Sequence, residues 1–198
     1  MKIDGSFTIP APRERVFALL VDPEVLRRCV PGCRTLDRDG ADRYLAVLEA
    51  GVGAVKGVFE GSVTMAEQSP PERLVMVVDG KGGPGFAKGR GTLRLAVIEE
   101  GGTVKTRVDY EGDVQVGGTI ASVGQRMISA ASRMMAGQFF AALEAEAKAA
   151  DLAASAAAAV AANPSAPPPP APAPPPPRPV RNFLHGLLAM LRGLFHRG

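Results

Sequence analysis

At 198 residues the chain has room for one ordinary domain plus appendages. Its net charge of +3 hides an asymmetry: Met1 to Asp151 hold 19 Lys and Arg against 20 Asp and Glu, and everything after Asp151 has no acid and four arginines, Arg178, Arg181, Arg192 and Arg197. The basic balance belongs to the tail, and the rest carries no basic stripe interleaved with aromatics, which excludes a nucleic-acid-binding domain.

Lys2 to Ile9 alternates, with Ile3, Phe7 and Ile9 on one side, and reads as a strand ended by Pro10 and Pro12. PRERVFALLVDPEVLRRCV has helical spacing through Val16, Leu19 and Leu20, is broken at Asp22-Pro23 and restarts with Asp22 as cap and Pro23 at the first helical position. From Cys33 to Val116 the pattern is strand. In TVKTRVDYEGDVQV one face takes Val104, Thr106, Val108, Tyr110, Gly112, Val114 and Val116, and the charged residues take the other. Ala87, Gly89, Gly91, Leu93, Leu95 and Val97 form a second such row, and Phe59, Gly61, Val63 and Met65 a third. Turn signals at Asp39-Gly40, Pro70-Pro71, Gly82-Gly83-Pro84 and Gly101-Gly102 divide the region, giving seven strands with the first. Thr119 to about Ala149 has helical spacing, with a stripe of Ile120, Val123, Met127, Ala131 and Met134 widened by Ile128, Met135 and Phe139. Ala-rich residues 152–162 either extend that helix or fray. This order predicts an α+β fold, a curved antiparallel sheet with its helices on one face.

Catalytic constellations are scarce. The histidines, His185 and His196, lie in the tail about 16 Å apart as a helix, too far to share a metal, and the domain has none for a nucleophile–histidine pair. Cys29 and Cys33 are separated by Pro31-Gly32 and read as buried free thiols rather than a metal or redox site. GGPGFAKG lacks the second glycine and the Ser or Thr of a phosphate loop. Glu111 and Asp113 fall on the wet face of their strand. A non-enzyme with no metal and no covalent cofactor is expected.

The inward rows mix large apolar residues with Gly61, Gly89, Gly91 and Gly112, which either leave a cavity or mark bends in the sheet, two readings that are compatible. The cavity candidates are these glycines with Phe7, Tyr44, Phe59, Val63, Met76, Phe86, Leu93, Leu95, Val108 and Tyr110 from the sheet. Ile120, Val123, Met127, Ala131 and Met134 complete them from the helix. Methionine is adaptable lining for a long apolar ligand, and Tyr44 or Tyr110 could meet a polar head.

The succession VPGC, GVGAVKGVFEGSV, SPPERL, GFAKGRGTLRL and DYEGDVQVGGTIASVGQRMI resembles the G-subunit family of carbon monoxide dehydrogenase over about residues 1–147. The resemblance implies the START-like, helix-grip architecture, a seven-stranded sheet around a long C-terminal helix and an apolar cavity. It also implies service to a molybdenum-containing carbon monoxide dehydrogenase or related oxidoreductase, in maturation or membrane recruitment, with no cofactor chemistry of its own. A bound quinone, menaquinone or ubiquinone, is the ligand expected of such a partner.

The domain is expected over 1–150, an Ala/Pro-rich linker over 151–180 and an amphipathic helix over 181–198. Pro164 to Pro179 should form extended polyproline II. In the tail, Phe183, Leu184, Leu187, Leu188, Met190, Leu191, Leu194 and Phe195 fill one half of a helical wheel, and Arg181, Arg192 and Arg197 border it without any acid. The segment is too short to span a bilayer and reads as an interfacial helix on an anionic membrane; a partner groove and packing back onto the domain are the alternatives. The N-terminus has no signal-peptide pattern, so the expected location is cytoplasmic and peripheral on the inner face of the cell membrane. Two functions compete: a lipophilic-ligand adaptor shuttling quinone between bilayer and enzyme, and an assembly factor with an incidental cavity. An enzyme on an apolar substrate is a third reading, weakened by the lack of a base.

Overall fold

The computed structural model describes residues 1–162, with side chains through residue 155. The proline-rich segment and the tail expected to bind membrane lie outside the described residues.

Seven strands form one antiparallel sheet in the order β1-β7-β6-β5-β4-β3-β2. They are β1 (Lys2–Ile9), β2 (Cys33–Arg38), β3 (Arg43–Val52), β4 (Val55–Ser69), β5 (Arg73–Gly82), β6 (Gly85–Glu100) and β7 (Thr103–Gly117). β2 to β7 pair in sequence order, and β1 closes the far edge against β7, with Phe7 opposite Val108 and Ile9 opposite Thr106. Register shifts between Cys33 and Thr35 and between Met65 and Glu67 let the sheet bend. The α+β helix-grip layout expected from the sequence is the one observed.

Two short helices follow β1: α1 (Arg13–Val21) and α2 (Pro23–Cys29). Asp22 caps α2 as its position predicts, its carboxylate accepting from the backbone N–H of Glu24 and Val25 at 2.8 and 3.3 Å. The chain reaches α1 through a buried link: the Thr106 hydroxyl donates to the Ala11 carbonyl at 2.7 Å, which satisfies the polar member of the inward row of β7.

The long helix departs from expectation at its start. Thr119–Val123 form a 3₁₀ turn, Gly124 follows at φ +90°, and α3 (Gln125–Ala162) begins only after it. A residue with φ in that region ends helical hydrogen bonding and resets the phase of the next helix. The buried face of α3 is therefore Ile128, Phe140, Leu143 and Ala147, and Met127 and Met134 are 52% and 59% exposed on the opposite side. At its other end α3 runs on through Ala162, so the linker expected from residue 151 starts as helix. Alanine's high helix propensity accounts for the extension.

α3 crosses the inner face of the sheet in a known direction. The 3₁₀ turn that precedes it lies by the β5–β6 hairpin, where Ile120 N–H donates to the Pro84 carbonyl at 2.9 Å. The later part of α3 is latched to the short helices by Arg28, which donates to both Glu146 carboxylate oxygens at 2.8 and 2.9 Å, and by Arg15 beside Asp151 at 3.1 Å.

Candidate ligand-binding cleft

The space between sheet and α3 has two unlike halves. Toward α1 and α2 it is solid: Ile9, Val16, Leu20, Leu74, Leu93, Leu95 and Val108 from helices and sheet pack with Phe140, Leu143 and Ala147 of α3. Toward the start of α3 it is under-filled. Val78 lies in the inward row, opposite Val63 on one side and Gly89 on the other, and is still 38% exposed. Met76, Gly91, Val114 and Met135 are likewise only half-buried. A depression of about 350 Å³ opens where Val114 and Val116 of β7 face Ala121, Gln125 and Ile128. The space is open to solvent on one side.

Its glycines play two parts. At Gly61 a Cβ would stand 2.2 Å from the Asp79 carbonyl oxygen, so this glycine permits a close approach of β4 to β5 and makes no room for a ligand. Gly89 is tight too, at 2.8 Å from the Asp113 carbonyl oxygen. At Gly91 the nearest atoms, the Glu111 carbonyl oxygen and Met76 Cγ, are 3.7 and 3.8 Å away, which is ordinary contact with space beyond. Gly112 lies between, with the Arg90 carbonyl oxygen and Ile3 Cγ1 both at 3.3 Å. Bend and space are both present, at different residues.

Where the two halves meet, three rings stack. Phe7 and Phe140 lie 4.5 Å apart between centroids, and Tyr110 flanks them at 6.1 and 5.8 Å. Tyr110 lies flat over β1 because Gly5 opposite it has no side chain; a Cβ there would be 2.5 Å from the phenol oxygen. The Tyr110 side chain is half-buried, and its hydroxyl has no protein hydrogen-bond partner among the described residues. Tyr44 differs: it is buried in the core, with the Arg38 guanidinium 5.7 Å over its ring and one Arg38 N–H donating to its hydroxyl at 3.4 Å. The Tyr44 hydroxyl accepts in the core beside Arg38, whereas the Tyr110 hydroxyl lies in a half-buried side chain and has no such partner among the described residues.

Several sequence candidates move. Met127 and Met134 leave the site for the outer surface because Gly124 rotates the helix relative to Ile120. Phe86 sits in the row of Lys88 and Arg90, 40% exposed, its ring over Gly117, because strand alternation puts it opposite Ala87. Leu93, Leu95 and Val108 are core filler, and Phe59 is buried at the β3–β4 side. Ile120 is buried within the 3₁₀ turn, with Val123 and Ala131 half-buried nearby. Phe7, Val63, Met76 and Tyr110 are half-buried against the core, and Gly91 and Gly112 are half-buried on the same face of the sheet. Ile128, expected on the helix stripe, is buried; Phe140, Gly5 and Val78 were missed, and the spacing of Phe140, Leu143 and Ala147 would have found the true helix face had it been counted from Gly124.

Neither thiol is placed in an activating environment. Cys29 is buried, Cys33 half-buried with its Sγ donating to the Thr35 carbonyl at 3.4 Å, and burial pushes both above the usual thiol range. Among the described residues no group of three or more His, Cys, Asp or Glu side chains could hold a metal, and no helix is long and apolar enough to cross a membrane.

A curved seven-stranded sheet gripping a long C-terminal helix defines the helix-grip fold. The family model for the carbon monoxide dehydrogenase G subunit (CoxG) matches residues 5–148, and the chain belongs to that family. A conserved protein from Geobacillus kaustophilus is similar at 32% identity and TM-score 0.71, over 75% of this chain and 95% of its own. A START superfamily protein from Mycobacterium smegmatis (15%, TM-score 0.53, 74% and 97% covered) shares the fold. So does the Zhui aromatase/cyclase from Streptomyces sp. R1128 (12%, TM-score 0.54, 75% and 93% covered). No curated protein sequence matches. The family description implies association with carbon monoxide dehydrogenase.

Proposed function

We propose that the protein carries a lipophilic, quinone-like molecule between the bilayer and a molybdenum-containing carbon monoxide dehydrogenase or related oxidoreductase, and recruits that enzyme to the membrane. The observation that supports this reading is the half-open cleft with a free Tyr110 hydroxyl beside the Phe7–Phe140 stack. A flat ring bearing carbonyl acceptors fits that chemistry: the aromatic faces take the ring, and the phenol donates to a carbonyl. The bound molecule would supply electron acceptance; this chain binds, orients and releases it. In this reading the tail is an interfacial anchor on the cytoplasmic side, and the sixteen residues from Pro164 to Pro179 are a tether of about 50 Å when extended.

A second reading, an assembly factor for the same enzyme, is favoured by Gly61, where the missing side chain serves strand contact instead of ligand space. The tether separates the two. Replacing it with a Gly/Ser linker of similar reach should preserve quinone-dependent carbon monoxide oxidation, and deleting it should abolish that activity while dye-linked turnover persists. Equal loss of both activities on deletion would mean that the protein helps the enzyme assemble.

A further inference from the structure

α3 presents an outer face that the fold leaves bare. Arg126, Met127, Ala130, Arg133 and Met134 fall within about 120° of arc and are all exposed. Ten arginines of the domain, from Arg13 to Arg107, each meet a carboxylate, and Arg38 lies over Tyr44. Arg126 and Arg133 have no ion pair among the described residues. No acid occurs in the sequence from Val114 to Leu143. A depression of about 370 Å³ lies between the two arginines and shares Gln125 with the mouth of the cleft. The β3–β4 turn reaches the same place: a Cβ at Gly53 would stand 3.5 Å from Met127 Cε.

We propose that this face docks on an anionic lipid bilayer, with Arg126 and Arg133 meeting headgroup phosphates and Met127 and Met134 entering the interface. The mouth of the cleft then opens onto the membrane. The proposal rests on the carrier reading above, since only a bilayer-soluble ligand needs that placement. Charge complementarity selects the occupant: two uncompensated guanidinium groups border flexible apolar side chains on a convex helix, which suits a fluid anionic surface. A protein partner would be expected to find a rigid aromatic anchor, and among the described residues this face has none.

The test places an environment-sensitive nitrobenzoxadiazole label on the full chain through Met127→Cys or Met134→Cys in a Cys33→Ser background, with Leu45→Cys on the outer face of the sheet as control. With phosphatidylglycerol-containing vesicles the label should blue-shift and brighten at 127 and 134 and stay unchanged at 45; pure phosphatidylcholine should give little response. Met1–Ala158 form a compact unit, so a chain ending before Arg181 can also be assayed. Its partitioning onto the anionic vesicles should fall about thirtyfold in Arg126→Gln/Arg133→Gln, about fivefold per arginine. A full chain that sediments with vesicles but shows no change at 127 or 134 docks through its tail alone, which overturns this proposal and leaves the carrier reading standing. A response to purified carbon monoxide dehydrogenase and none to vesicles makes the face a protein interface and also overturns it. Absence of any vesicle binding by the full chain defeats the docking face and the membrane part of the carrier reading together.

Discussion

Gly89 and Gly91 lie two residues apart on β6 and face the same cleft, yet a side chain would meet different things at each. At Gly91 it has ordinary contacts and free space; at Gly89 it meets the Asp113 carbonyl within 2.8 Å. Gly91→Leu should therefore fold with little loss of stability and exclude ligand. Gly89→Leu should destabilise by about 1–3 kcal/mol through overpacking. Thermal melts beside a ligand-retention assay distinguish them, and equal melting losses would contradict the assignment. The Tyr110 hydroxyl gives a second residue-level test. Tyr110→Phe keeps the ring stack and should melt like the parent, and it should weaken retention of a carbonyl-bearing ligand by about 0.5–1.5 kcal/mol, the worth of one hydrogen bond. Unchanged retention would mean that the hydroxyl faces only water.

At the scale of elements, the strands were legible because their signal is local. Strict alternation in β6 and β7 names the inward row without knowledge of anything else, and Asp22-Pro23 marks the start of α2 by itself. The long helix was legible as a helix but not in its orientation, because five residues of 3₁₀ turn and a left-handed glycine stand between Ile120 and α3. Counting across that break put Met127 and Met134 on the stripe in place of Phe140 and Leu143. The function of each glycine was equally illegible, since it depends on cross-strand distances that alternation does not encode. The Arg28–Glu146 latch, joining residues 118 apart in sequence, leaves no local trace either.

That latch carries a pH signature. The hydrogen bond from Arg28, ahead of its simple charge, holds the Glu146 carboxyl below the usual glutamate range, and the same bond raises Arg28. A carboxyl depressed in the folded state contributes stability that is present above its unfolded value and is lost as pH falls through its folded one. Glu146→Gln should thus cost stability near neutrality and flatten the decline on the acid side, below the usual glutamate range. Both side chains are partly exposed, so solvent screening limits the loss to at most about 1 kcal/mol. Chemical denaturation across pH checks this; an acid limb identical to the parent's would rule the latch out as its source.

The whole molecule joins a rigid half to an open half. The solid core toward α1 and α2 fixes the later part of α3, and the under-filled end, beside a bare basic face, is where the proposed ligand would enter. Removing the tail from Arg181 onward should lower partitioning of the chain onto anionic vesicles without changing the melting of the domain, as sedimentation and calorimetry would show. Coincident sedimentation of the full and shortened chains would leave the tail without that role.

Everything proposed for the molecule depends on the cleft holding a lipophilic ligand. That is tested most directly by extracting the full chain, purified from a quinone-containing host without detergent, into apolar solvent and identifying what is released by mass spectrometry. A quinone-like lipid in near-stoichiometric amount is expected from the parent, and its loss from folded Gly91→Leu. Recovery of no apolar molecule, or equal recovery from both chains, would contradict it.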